Sequence, residues 1–109
     1  MSILKASGSI AGAADTAIIT PASGNKWILT FVLFTVDVPA IITAYDETND
    51  SDNQVVYGKF SPGFATGFPR AAGSGALPGA IKAAAADNKL YVNVPADVTL
   101  YYTVHWYER

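Results

Sequence analysis

Apolar and polar residues along this chain alternate in short runs broken by turn-forming residues, the pattern of strands rather than helices. Ile3 to Ile10 reads as a first strand, ended by Ala11-Gly12-Ala13-Ala14. Thr16 to Thr20 reads as a second, closed by Pro21-Ala22-Ser23-Gly24-Asn25. In that cluster proline presets its φ, and Gly and Asn tolerate positive φ, so the chain is expected to turn there. Lys26 to Val36 is the strongest strand, built mostly from β-branched, aromatic and leucine side chains that suit a pleated surface. Strict alternation places Trp27, Leu29, Phe31 and Leu33 on one face and Ile28, Val32 and Phe34 on the other. Both faces are apolar, so this strand is expected to be covered on both sides.

Asp37-Val38-Pro39 interrupts the run, and Ala40 to Tyr45 forms the next strand. Asp46 to Asn53 is acidic and polar and reads as an exposed hairpin connection to a strand over Gln54 to Phe60. Ser61 to Gly79 is rich in Gly, Pro and Ala, with Phe64 and Phe68 embedded in it. An irregular segment of that length usually carries function or an interface. Ala80 to Ala86 is too short for an independent helix and reads as a strand or a single loose turn. After the Asp87-Asn88 turn, Lys89 to Val94 alternates again. Beyond Pro95-Ala96-Asp97 lies the last strand, Val98 to Tyr107. It carries Val98, Leu100, Tyr102, Val104 and Trp106 on one face, and Thr99, Tyr101, Thr103, His105 and Tyr107 on the other. The expected fold is all-β: about seven or eight strands in one antiparallel β-sandwich domain spanning residues 1–109.

Composition narrows the function. Only 15% of the residues are charged, against about 25% in a typical soluble domain. Much of the surface must therefore be uncharged or covered by another chain. The net charge is -2 and the seven Lys and Arg are scattered, which leaves no basic stripe for a nucleic-acid backbone and no polybasic route to a membrane. The longest apolar stretch, Ile28 to Val36, is interrupted by Thr30 and Thr35 and is far shorter than the ~20 residues of a spanning helix. The chain has no cysteine, so disulfides, thiolate zinc sites and thiol chemistry are ruled out.

Candidate chemistry is sparse. His105 is the sole histidine, and the expected reading is a sheet-face residue packed on aromatics, since catalysis needs a constellation. The Asp46 to Asn53 loop gathers oxygen ligands of the kind calcium takes. It fails the EF-hand spacing: Ser51 holds the place of the turn glycine and Tyr57 that of the bidentate glutamate. A solvated hairpin tip is the expected reading, with no bound metal or other cofactor. Gly73-Ser74-Gly75 lacks the strand–glycine–helix context of a nucleotide loop. Trp27, Tyr91, Tyr101, Tyr102, Trp106 and Tyr107 suit either a sugar-stacking platform or a core and subunit interface, and their apolar neighbours favour the latter. No enzymatic constellation emerges.

Several sequence words, in order, resemble a family of small phage virion proteins with a jelly-roll-like sandwich. They are Pro21-Ala22-Ser23-Gly24-Asn25-Lys26 before an apolar strand, then an irregular Gly/Pro segment. Ala85-Ala86-Asp87-Asn88-Lys89-Leu90-Tyr91-Val92-Asn93-Val94 follows, and finally Val98 to Val104 with the closing Glu108-Arg109. The resemblance runs from about Thr16 to Arg109; the Asp46 to Asn53 loop and the stretch from Phe64 to Pro69 depart from it. It implies a capsid decoration (cement) protein, or alternatively a tail or fibre component, made in the host cytoplasm and residing on the virion. It also implies a homotrimer bound to the major capsid protein or another virion protein, and supplies no catalytic residues. A carbohydrate-binding module is the rival reading and calls for exposed tyrosines and tryptophans. The expected contact residues are Trp27, Phe64, Phe68, Trp106 and Tyr107. The two phenylalanines are chosen because large apolar side chains in a Gly/Pro loop need a cover.

Overall fold

The apolar run after Lys26 forms strand β3 (Trp27–Val36), and it pairs along its whole length with the final strand, β9 (Thr99–Glu108). The computed structural model describes residues 2–12, 14–62, 66–68 (backbone alone) and 81–109. Around the β3–β9 pair it places β1 (Leu4–Ala11), β2 (Asp15–Ile19), β4 (Ala40–Asp46), β5 (Gln54–Phe60), β6 (Thr66–Phe68), β7 (Ile81–Lys82) and β8 (Leu90–Asn93). A single 3-10 turn, Ser51–Asn53, precedes β5 among the described residues.

Two sheets result. One runs β1-β9-β3-β6, with the two-residue β7 sharing the β6 side of β3; the other runs β2-β8-β4-β5. Leaving β7 aside, the antiparallel pairs nest from the ends of the chain inward: β1 with β9, β2 with β8, β3 with β6, β4 with β5. That nesting is one long hairpin rolled into two facing sheets, the topology of a jelly roll. The expected all-β, jelly-roll-like sandwich is therefore the fold observed.

The inner faces meet in one core, whose fully buried side chains include Trp27, Phe34, Ile42, Leu90, Leu100 and Val104. Phe34 of β3 meets Phe60 of β5 edge-on across the two layers, with ring centroids 5.9 Å apart. Full burial of each such side chain contributes about 1.5–3 kcal/mol.

Strict alternation along β3 does not survive. The register with β9 shifts between Leu29 and Phe31, leaving Thr30 as the extra residue of a β-bulge. The Thr30 hydroxyl donates to the His105 carbonyl at 3.1 Å, so a side chain bonds the partner strand at the break in the ladder. The bulge reverses the phase of the strand. Trp27 and Leu29 point inward before it, Val32, Phe34 and Val36 after it, and Phe31 and Leu33 turn outward. The expected single face of Trp27, Leu29, Phe31 and Leu33 is thus corrected, because one added residue inverts every later side chain.

Turns follow residue chemistry. Gly24 adopts a φ of 84°, and Glu47, Asp87 and Asp97 also have positive φ. Asp50 caps the 3-10 turn by accepting from the Asp52 and Asn53 amides at 3.0 and 3.1 Å. Asp46, expected in the exposed loop, is instead the buried last residue of β4; its Oδ2 accepts the Ala84 amide at 2.7 Å. It thereby ties the segment after β7 to the second sheet.

Where the chain leaves β1 for the other sheet, Gly12 donates to the Val98 carbonyl at 2.8 Å. A Cβ at Gly12 would sit 1.8 Å from the Pro95 carbonyl oxygen, so only glycine fits this crossing. Gly58 in β5 has open space instead. Gly12→Ala is expected to cost about 1–3 kcal/mol as an overpacking change. Gly58→Ala is expected to stay within about 0.5 kcal/mol. Urea unfolding of the two variants beside the parent checks this; equal midpoints would contradict the close approach at Gly12.

Candidate interaction surface

The outer face of the five-stranded sheet is built by β3 and β9 in register. Ile28 lies opposite Tyr107, Phe31 opposite His105, Leu33 opposite Thr103 and Thr35 opposite Tyr101. None of these eight is Asp, Glu, Lys or Arg. Ile28 is buried although it points outward, flanked by Tyr107 on β9 and Lys82 on β7. Phe31, Leu33, Thr35, Thr103, His105 and Tyr107 are half-buried, and Tyr101 is 50% exposed. The Phe31 and His105 rings lie 4.9 Å apart, tilted by 37°. His105 therefore packs on an aromatic, as the sequence led one to expect.

Of the expected contact residues, Tyr107 lies on this face. Trp27 and Trp106 do not: they are 0% and 8% exposed and belong to the core cluster. Both point between the sheets, Trp27 because it precedes the bulge and Trp106 because it lies on the inward face of β9. Neither presents an indole to a partner, which corrects that expectation. Phe64 and the side chain of Phe68 lie outside the described residues; the backbone of Phe68 pairs with Val32. Phe31 and Leu33 are face residues not named beforehand as contacts, and Tyr101 had been weighed only among the aromatics that suit a platform or an interface. The available signal was Thr30, a residue whose hydroxyl can bond the partner strand at a bulge.

The outer face of the four-stranded sheet carries Lys59 beside the exposed Ile41 and Tyr57. Tyr45 and Tyr91 stack at 5.6 Å with planes 14° apart. The Tyr45 hydroxyl donates to Asp15, and the Asn93 amide donates to the same carboxylate at 2.6 Å. Burial first, then the hydrogen bond and charge of Asp15, push the Tyr45 hydroxyl above the ordinary tyrosine range, so it stays a neutral donor.

Three acidic residues of this stretch bind backbone amides, while the buried Asp46 Oδ1 has no partner among the described residues. Glu47 accepts the Lys89 amide at 2.8 Å, Asp50 caps its turn, and Asp46 holds Ala84. Among the described residues no three His, Asp or Glu side chains are grouped so as to hold a metal ion.

Glu108 organises the turn into β3. Its Oε1 accepts from the Ala22 amide at 3.0 Å and the Asn25 side chain at 3.2 Å, and its Oε2 from the Trp106 indole at 3.0 Å. Burial alone raises the pKa of this carboxyl, but the bonds from Trp106, Ala22 and Asn25 outweigh it and hold the group below the usual carboxylate range.

Set beside known proteins, the chain matches no family model, no curated protein and no solved structure. The class it belongs to is therefore defined by topology: a jelly-roll β-sandwich whose β3 and β9 carry no Asp, Glu, Lys or Arg on their outer side.

Glu108→Gln is expected to cost about 1–2 kcal/mol at neutral pH, because charge-assisted bonds become neutral ones. The folded pKa is lowered, so the contribution of the carboxylate is full above the unfolded value near 4.5 and is lost as pH falls through the folded value. The stability gap between parent and variant should shrink on acidification below that point. A gap independent of pH, measured by denaturant titration, would contradict the clamp.

Proposed function

We propose that this chain is a non-enzymatic structural protein of a bacteriophage particle. It acts as a capsid decoration (cement) protein that self-associates and binds the assembled shell. The observation that carries self-association is the uncharged outer face of β3 and β9, with Phe31, Leu33, Tyr101, His105 and Tyr107. In monomers a contiguous apolar patch of this kind commonly marks an interaction site. The virion context rests on the resemblance of the Pro21–Lys26, Ala85–Val94 and Val98–Val104 segments to small phage virion proteins, and the jelly-roll topology agrees with it. The three-fold assembly is what that resemblance implies.

The mechanism is mass action. A protein that bridges neighbouring shell subunits binds only the assembled state and stabilises it by RT ln(1 + [L]/Kd), about 2.7 kcal/mol at a hundredfold excess over Kd. A glycan-binding module is less well supported, since both tryptophans are in the core.

Leu33→Lys puts a charge in the middle of the uncharged face. It is expected to reduce the solution mass measured by light scattering and to abolish co-sedimentation with expanded phage shells, while the thermal melt of the subunit stays within a few degrees of the parent. Undiminished mass and unchanged shell binding would remove this face from the assembly.

A further inference from the structure

Four strands end the two sheets, and three of the four ends are blunted. β2 is five residues long and carries a register shift between Ala17 and Ile19. β5 is bulged, because Ala44 and Tyr45 pair with Val56 and Gln54 and skip Val55. Among the described residues the β6 end offers three residues and β7 two. β1 differs. It pairs with β9 over eight consecutive residues, Leu4↔Trp106 to Ala11↔Thr99, with no shift and no proline, and Lys5 is its single charged residue. Among the described residues no strand pairs with its other side. Long, flat, unprotected edges are what natural proteins avoid unless another strand covers them.

Gly12 donates to Val98, the next step of the same register, so the even residues of β1 direct their amides and carbonyls at β9. The odd residues Lys5, Ser7, Ser9 and Ala11 therefore direct theirs at the free edge, with their side chains on the outer face.

We propose that β1 pairs antiparallel with β1 of a second copy of this chain, about a two-fold axis at Ser7. Edge backbones in this phase are self-complementary, and a two-fold contact closes on itself. In this register Ser7 faces Ser7 and Lys5 faces Ser9 in hydrogen-bonded pairs, so no lysine opposes a lysine. On the inner face Leu4 meets Ile10 and Ala6 meets Gly8, and Ile3 meets Ala11 on the outer face. Ile3 and Leu4 are 47% and 40% exposed in the single chain, and this contact covers both. The alternative centre at Gly8 sets glycine against glycine and leaves Leu4 against Gly12. The contact stands apart from the virion reading and uses a different surface from the β3–β9 face.

The chain has no cysteine, so single-cysteine variants report the register cleanly. A hydrogen-bonded antiparallel pair holds its Cα atoms about 5.5 Å apart, within the ~4.4–6.8 Å span of a disulfide. Two Ser9 residues lie roughly 13 Å apart in the same register. Oxidation of dilute Ser7→Cys with copper phenanthroline is expected to give disulfide-linked dimer as the main product, and Ser9→Cys at least about tenfold less. Ser7→Pro removes only an outward-facing amide and is tolerable on an edge. It is expected to halve the mass of the full chain in light scattering. Equal linking of the two cysteine variants, a parent that is monomeric at all concentrations, or a folded Ser7→Pro protein of unchanged mass would each overturn the proposal. If Ser7→Pro does not fold, the comparison of the cysteine variants decides.

Discussion

Everything else in this molecule leans on the pairing of β3 with β9. It joins the most apolar strand to the last strand, and mutual amide–carbonyl bonds between Lys26 and Arg109, at 2.7 and 3.1 Å, extend it past the strand ends. Among the described residues β1 pairs only with β9, and β6 and β7 only with β3, so the strand order of the five-stranded sheet depends on this ladder. The bulge at Thr30 is its one break, and it decides which side of β3 meets the other sheet. With Trp27 and Leu29 inward before the bulge and Val32, Phe34 and Val36 inward after it, the core is filled along the whole strand. Phe31 and Leu33 are displaced outward, and the surface that supports the proposed assembly is a by-product of the same shift.

A low charge fraction leaves few ionic groups, and several of the carboxylates at the ends of the strands bind backbone amides. Glu108, Asp46, Glu47 and Asp50 each accept main-chain amides that strands leave unpaired at turns, and Asp37 does the same for Thr99 at 2.8 Å. Buried or half-buried amides are costly when unsatisfied, so these carboxylates hold the corners of the sandwich. That use gives Asp46, Glu47 and Asp50 a structural role in the acidic stretch at the end of β4. It also explains why the outer face of β3 and β9 can be free of charge: the carboxylates sit at the strand ends, not along the strands.

Much of the architecture was legible in the chain. Gln54–Phe60 was bounded correctly, and the strands built around Trp27–Val36, Leu90–Asn93 and Thr99–Glu108 were found within a residue or two, because alternation and turn residues are local signals. The inward face of β9, with Leu100, Val104 and Trp106, also followed from alternation. The facing of β3 beyond Thr30 did not, since a bulge is a property of two strands in register and not of either alone. The same limit applies to Trp27 and Trp106. An indole in an apolar strand reads equally as core or contact until the opposite sheet is in place.

The sequence by itself determined that the chain is all-β, that polar or Gly/Pro turns separate its strands, and that thiol chemistry and a basic binding stripe are ruled out. Those properties depend on residue type and on spacing of a few positions. Only the tertiary structure decided the nesting of pairs that makes a jelly roll, the burial of Asp46, the clamp at Glu108, and the contrast between one open edge and three blunted ones. Each of these joins residues far apart in the chain, and loop closure between such residues leaves no periodic trace in sequence.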